Sequence, residues 1–156
     1  MIGLLIAVLL FNSIAYKVNK KLTKNQVIHI WMFTLAFQQL FDLYADVGYH
    51  AYWYFSKYDV DWGSLLHILF LVPPVNIIFL NYYPFERSIM RRIIFILLFN
   101  IIIVFYEWIT LLDPPWGYFH YGWWNLGYSF AINPLLLFIL IKYFRFIKKI
   151  ETGNNN

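Results

Sequence analysis

Five runs of apolar side chains, parted by short polar or basic stretches, order this chain: 2–16, 27–47, 62–80, 93–112 and 123–141. Each of the last four comes close to the roughly 20 residues that an α-helix needs to cross a hydrocarbon core of about 30 Å. The first is shorter. No basic residue precedes it and no small-residue cleavage site follows it, so an uncleaved helix is expected, with a cleaved signal peptide as the minor alternative. The pattern predicts an all-α integral membrane bundle of five transmembrane helices. They form a single domain over 1–150, followed by a polar tail at 151–156.

The polar stretches set the expected topology. Lys17, Lys20, Lys21 and Lys24 fall between the first two runs, Arg87, Arg91 and Arg92 between the third and fourth. Lys142, Arg145, Lys148 and Lys149 follow the fifth. With five spans, 11 of the 12 basic residues lie on one side and only Lys57 on the other. The excess of Lys and Arg on cytoplasmic loops then places the N-terminus outside and the C-terminus in the cytoplasm. The basic stretch 142–149 anchors the last helix at anionic headgroups, with recruitment of a cytoplasmic partner as the sharper reading.

Composition agrees. The 156 residues are 62% hydrophobic and 13% charged, against about 25% charged in a typical soluble domain. One small core cannot bury that much apolar surface, so the excess is expected to face a lipid bilayer. The formal charge of +4 is gathered in clusters between apolar runs, a topology signal and not a nucleic-acid surface. Cysteine is absent, which excludes disulfides and thiolate chemistry.

Six of the eight acids fall in the outer half or on external loops: Asp42, Asp46, Asp59, Asp61, Glu107 and Asp113. His50, His67 and His120 join them, while His29 reads as an interfacial residue at the cytoplasmic end of the second run. Gln38, Asp42 and Asp46 recur every four residues, on one helical face. At 1.5 Å per residue, Asp42, His67 and Glu107 lie about 6–9 Å outward of their helix centres. Asn125 and Ser129 share that layer, on a stripe that continues to Asn133. A charge in the bilayer costs at least about 2.5–3.5 kcal/mol, so these groups are expected to face each other or water. Gln38, Asp42, Asp46, His67, Glu107, Asn125 and Ser129 therefore form a candidate outward-facing polar pocket; the bland alternative is a network that only fixes helix packing. There is no HExxH and no His pair at helical spacing, so neither a metal site nor a cofactor is assigned. Asp59-Val60-Asp61 lacks the length and glycine of a calcium loop.

Pro73-Pro74 and Asn133-Pro134 sit near the centres of the third and fifth runs, where kinks satisfied by Asn76 or Ser129 are expected. The external aromatics, among them Tyr49, Tyr52, Trp53, Tyr54, Tyr118, Phe119 and Trp123, are expected to form a belt at the headgroups. A shift of 61 residues aligns Asp46 with Glu107, Trp62 with Trp123 and Pro73 with Pro134, the pattern of a repeated helix hairpin. On that alignment Asp42 has no counterpart.

The segments Pro74–Phe85, Tyr106-Glu107-Trp108 and Trp123–Ser129 resemble a family of small multi-spanning membrane proteins of spore-forming, Gram-positive bacteria (the CBO0543-type family), over about residues 25–146. The resemblance implies a place in the cytoplasmic membrane and carries over no catalytic residue. No nucleophile triad, phosphate loop or dinucleotide fingerprint is present. The leading expectation is a transporter-like protein or accessory subunit with a polar outward pocket, partnered by the bilayer and by a second copy or another membrane protein, and not by nucleic acid. The rivals are an intramembrane enzyme using Asp42, Glu107 and His67 in acid–base chemistry, and a structural or sensory partner.

Overall fold

The computed structural model describes residues 1–57 and 62–153; Asp59, Asp61 and the end of the polar tail lie outside them. The chain is mostly helical. Its helices are α1 (Ile2–Val18), α2 (Lys24–Asp42), α3 (Trp62–Phe70), α4 (Val72–Tyr82), α5 (Ile89–Thr110) and α6 (Leu126–Gly153). Leu71 joins α3 to α4, and its amide still donates to the His67 carbonyl at 3.0 Å, so the two run as one rod. Among the described residues two short strands, β1 (Tyr52–Tyr54) and β2 (Phe119–Tyr121), depart from the all-α expectation. Trp62–Tyr82, α5 and α6 are long and apolar enough to cross a membrane. The apolar helix α1 is only 17 residues long.

Successive rods alternate in direction, and this gathers the basic loops. At one end the amides of Lys20 and Lys21 both donate to Asn81 Oδ1 at 3.1 Å, tying the α1–α2 loop to α4. Glu151 on α6 accepts from Asn25 Nδ2 at 2.6 Å and from Gln26 Nε2 at 2.5 Å, on the first turn of α2. These bonds, Asn25 first, hold its carboxyl below the usual range. The Arg145 guanidinium lies 6.0 Å from the Phe85 ring in the α4–α5 loop. At the opposite end the Gly3 amide donates to the Pro115 carbonyl at 3.1 Å, and Lys57 sits over the Trp53 ring.

Helix α2 is built inside out. Gln26, Ile30, Thr34 and Asp42 are buried, Gln38 is half-buried, and the five recur every four residues on one face. Ile28, Met32 and Leu40 on the opposite face are exposed. Polar groups inside and aliphatic groups outside reverse the order of a water-facing helix. α5 shows the same outward face, with Leu98, Ile101, Ile102 and Phe105 each more than half exposed.

The prolines explain two isolated asparagines. Pro74 lacks the amide that would bond the Phe70 carbonyl, and Asn12 Nδ2 of α1 donates to that carbonyl at 2.8 Å. Pro134 likewise frees the Phe130 carbonyl, which accepts from Asn100 Nδ2 of α5 at 2.9 Å. The kinks are thus satisfied from other helices, and not by Asn76 or Ser129. Asn76 Nδ2 donates instead to Thr34 Oγ1, at 2.9 Å. In apolar surroundings a carbonyl left unpaired is expensive, which gives these side chains their leverage.

Asn100→Leu is expected to lower stability in detergent by about 1–3 kcal/mol, the usual consequence of orphaning a buried acceptor. In a Pro134→Ala background, where residue 134 regains an amide, the same change should lose most of its effect. Thermal melts of the four proteins check this; equal losses in both backgrounds would refute the pairing.

Candidate functional site

The end of the bundle opposite the basic loops is closed by the two strands. β1 and β2 pair antiparallel with Tyr52 opposite Tyr121, Trp53 opposite His120 and Tyr54 opposite Phe119. Side chains alternate across a strand, so Tyr52, Tyr54, Phe119 and Tyr121 share the inner face, and Trp53 and His120 stack on the other at 5.9 Å. Left-handed residues bracket β1, His50 with φ 49° and Phe55 with φ 51°. Such a conformation is strained for a phenylalanine. Phe55 is held there by donating its amide to the Tyr118 carbonyl at 2.8 Å and stacking on the Tyr118 ring. Gly122, just past β2, leaves no room for a Cβ, which would lie 2.1 Å from the His50 carbonyl oxygen.

Each cross-strand tyrosine holds one carboxylate. Tyr52 Oη donates to Asp42 Oδ1 at 2.6 Å, and Gln38 Nε2 reaches both Asp42 oxygens at 3.1 Å. Opposite it, Tyr121 Oη donates to Glu107 Oε1 at 2.5 Å, as does Ser129 Oγ. Ser129 in turn accepts from Trp124 Nε1 at 2.8 Å. Burial, and then the Asp42 charge, push the Tyr52 phenol above its ordinary range. Burial and the bond to Glu107 do the same for Tyr121. Both phenols therefore stay protonated and act as donors. A third cluster joins His67 Nδ1 to Tyr118 Oη at 3.2 Å and Tyr118 Oη to Tyr106 Oη at 3.0 Å. Burial first, then Tyr106, raises the Tyr118 phenol as well.

The predicted pocket residues thus divide. Gln38, His67 and Glu107 line one interior cavity of about 570 Å³. Asp42 is buried behind Gln38 and is not among the lining residues. Ser129 sits behind Glu107. Asn125 serves elsewhere, its Oδ1 accepting from the Gly127 and Tyr128 amides at the start of α6. Asp46 lies half-exposed beside His50. Leu43–Gly48 form a turn of π-helix, and Asp46 stands within it. The acid that answers Glu107 across the strand pair is Asp42, held by Tyr52 as Glu107 is by Tyr121. The aromatic residues divide too. Tyr52, Tyr54, Tyr118 and Phe119 are buried in the hairpin instead of standing in a belt, whereas Tyr49, Trp116 and Trp123 are exposed.

Below the polar layer the cavity is walled by Phe33, Val75, Phe99, Ile103, Leu136 and Leu140. Asn133 reaches it at mid-height with an Nδ2 that is buried and finds no acceptor among the described residues. α5 packs along α6, and α4 along α1 and α2. Two lining residues, Tyr82 on α4 and Ile102 on α5, are 56% and 60% exposed, which marks a side opening where these two packing groups part. No metal-binding cluster of three or more His, Asp or Glu occurs among the described residues.

No family model, curated protein or solved structure matches this chain. The resemblance drawn over residues 25–146 therefore rests on its own motifs, and the reading of function on the geometry.

The sequence pointed to the acids but not to their partners. Three-residue strands are too short to show an alternating pattern, and the signal for the lid lay only in two aromatic triplets, Tyr52–Tyr54 and Phe119–Tyr121. Tyr52→Phe and Tyr121→Phe are each expected to lower stability by about 1.5–3 kcal/mol, since each removes a hydrogen bond to a carboxylate. Tyr44→Phe, at an exposed tyrosine, should leave the melt unchanged. Chemical denaturation in detergent compares the three.

Proposed function

We propose that this chain is a five-span integral membrane protein of the cytoplasmic membrane that takes up a small amphipathic molecule from the bilayer into its central cavity, as a transporter-like protein or the ligand-binding subunit of a larger assembly. The carrying observation is the cavity. At about 570 Å³ it falls within the 300–1,000 Å³ of small-molecule sites, in interiors that otherwise hold few voids larger than a water. Its wall is largely apolar over the lower part, its ionisable groups Glu107 and His67 lie toward the strand end, and Thr34, Asn76 and Asn133 are the polar groups at mid-height. A molecule with an apolar body and a polar head matches that division. The unpaired Asn133 amide, whose desolvation alone is worth about 1–3 kcal/mol, offers such a ligand a hydrogen bond.

The spans follow from the same distribution. α2 is too polar to pass as a membrane helix on hydropathy, yet its polar residues point inward and its outward face is aliphatic. α1, about 25 Å long at 1.5 Å per residue, is short but adequate where the bilayer thins locally. With both in the membrane, the basic loops lie in the cytoplasm and the strand lid faces outward.

An enzyme reading receives less support. Glu107 and Asp42 each spend a carboxylate oxygen on a tyrosine, and Asp42 does not reach the cavity.

Two measurements test the proposal together. The chain has no cysteine, so Lys57→Cys should react with an impermeant maleimide in intact cells and Lys148→Cys only after permeabilisation. In nanodiscs, wild-type protein should bind radiolabelled dodecanol saturably, and Val75→Trp and Leu136→Trp, which fill the cavity, should abolish that binding. External labelling of Lys148→Cys would refute the topology, and unchanged dodecanol binding in both tryptophan variants would refute the site.

A further inference from the structure

The charges around the cavity specify the head of its occupant. Among the described lining residues there is no lysine or arginine; the acid–base groups are Glu107, His67 and the tyrosines. Both hydrogen bonds received by Glu107 converge on Oε1, from Tyr121 and Ser129, which fixes the side chain and leaves Oε2 without a partner among the described residues. His67, the basic group of the wall, is engaged through Nδ1 with the Tyr118 hydroxyl and packs on the Tyr54 ring at 4.5 Å.

Around this end stand Phe11, Tyr54, Tyr106, Tyr118 and Phe119, all lining the cavity. Phe11 meets Tyr106 edge-on at 5.5 Å, and Tyr54 meets Phe119 at 5.1 Å. Aromatic faces attract cations through their quadrupoles, and walls of this kind recognise ammonium groups. An anionic head, phosphate or carboxylate, would meet a carboxylate and several ring faces there, with no cationic side chain to pair it. Its burial would be strongly unfavourable. A cation would be compensated twice, by the free Glu107 oxygen and by the rings.

We infer that the cavity selects lipophilic monocations, an ammonium carried on an aliphatic or aromatic body, with Glu107 as the counter-charge and the Tyr54–Tyr106–Tyr118 wall as an aromatic cage. The ammonium sits at the outer end beneath the strand lid, and the body extends down past Phe99, Ile103 and Leu140 toward the side opening. This rests on the cavity being a binding site. It adds the sign of the ligand and names the residue that reads it.

The test uses three probes of one chain length, dodecyltrimethylammonium, dodecanol and dodecyl phosphate, with the whole protein in phosphatidylcholine nanodiscs. Dodecyltrimethylammonium should bind at least about tenfold more tightly than dodecanol, equivalent to about 1.4 kcal/mol, and dodecyl phosphate more weakly than either. Glu107→Gln should bring dodecyltrimethylammonium down to the affinity that the same variant shows for dodecanol, and saturable dodecanol binding by the variant shows that it is folded. Glu107→Asp should keep part of the advantage. Equal binding of the three probes by wild-type protein, a preference for the phosphate, or an unaltered cation advantage in Glu107→Gln would overturn charge selection and leave the cavity reading standing. Absence of saturable binding by all three would overturn both.

Discussion

Two phenol–carboxylate hydrogen bonds hold the strand-capped end of this molecule together. Tyr52 and Tyr121 face each other across an antiparallel ladder of three residue pairs, and each donates to an acid on a different helix, Asp42 on α2 and Glu107 on α5. A two-stranded ladder is marginal alone, and so are buried carboxylates without donors. Joined, each supplies what the other lacks: the strands bring hydroxyls to the acids, and the acids pin the strands to the helices. Ser129 and Trp124 extend the arrangement to α6, and Tyr118 to His67 of α3. α2, α3, α5 and α6 are therefore each registered against the lid or its flanking residues by at least one polar contact.

The same requirement governs the middle of the bundle. Surrounded by aliphatic side chains, a carbonyl freed by proline has no water to turn to, and both carbonyls traced here are met by an asparagine from a neighbouring helix. At the basic end, Asn81 collects two loop amides, and Glu151 ties the last helix to the first turn of α2. Polar groups act as the internal fasteners while the exterior is left to Leu, Ile and Phe. That inversion is what an apolar solvent selects. It also leaves room for a cavity, because α5 follows α6 and α4 follows α1 and α2, and the two groups meet incompletely.

Helices were the legible part of the sequence, since apolar runs near 20 residues and proline pairs announce themselves locally. The recurrence of Gln38 and Asp42 also marked the inward face of α2, which the structure extends back through Thr34 and Ile30 to Gln26. Asp46 stands in a π-turn that begins at Leu43, a change for which no residue between Leu43 and Gly48 is a distinctive marker. The lid was hidden for a different reason: pairing of Tyr52–Tyr54 with Phe119–Tyr121 spans nearly seventy residues, and triplets of aromatics read equally well as a headgroup belt. Asn12 and Asn100 looked like isolated polar defects, and their meaning depended on carbonyls 58 and 30 residues away. The polar residues Gln38, Asp42 and Glu107 were found, but whether each faces the cavity or lies behind its wall was a matter of packing alone.

The central claim is that the interior of this bundle is open to amphipathic molecules from the bilayer. Photolabelling with a long-chain alkylammonium carrying a diazirine near its tail, followed by peptide sequencing, tests it directly. The account predicts adducts on inward positions, Val75, Ile103 and Leu136, that an excess of dodecyltrimethylammonium removes. Adducts confined to the outer aliphatic surface, at Leu9, Leu98 or Ile101, and indifferent to that competitor would contradict it.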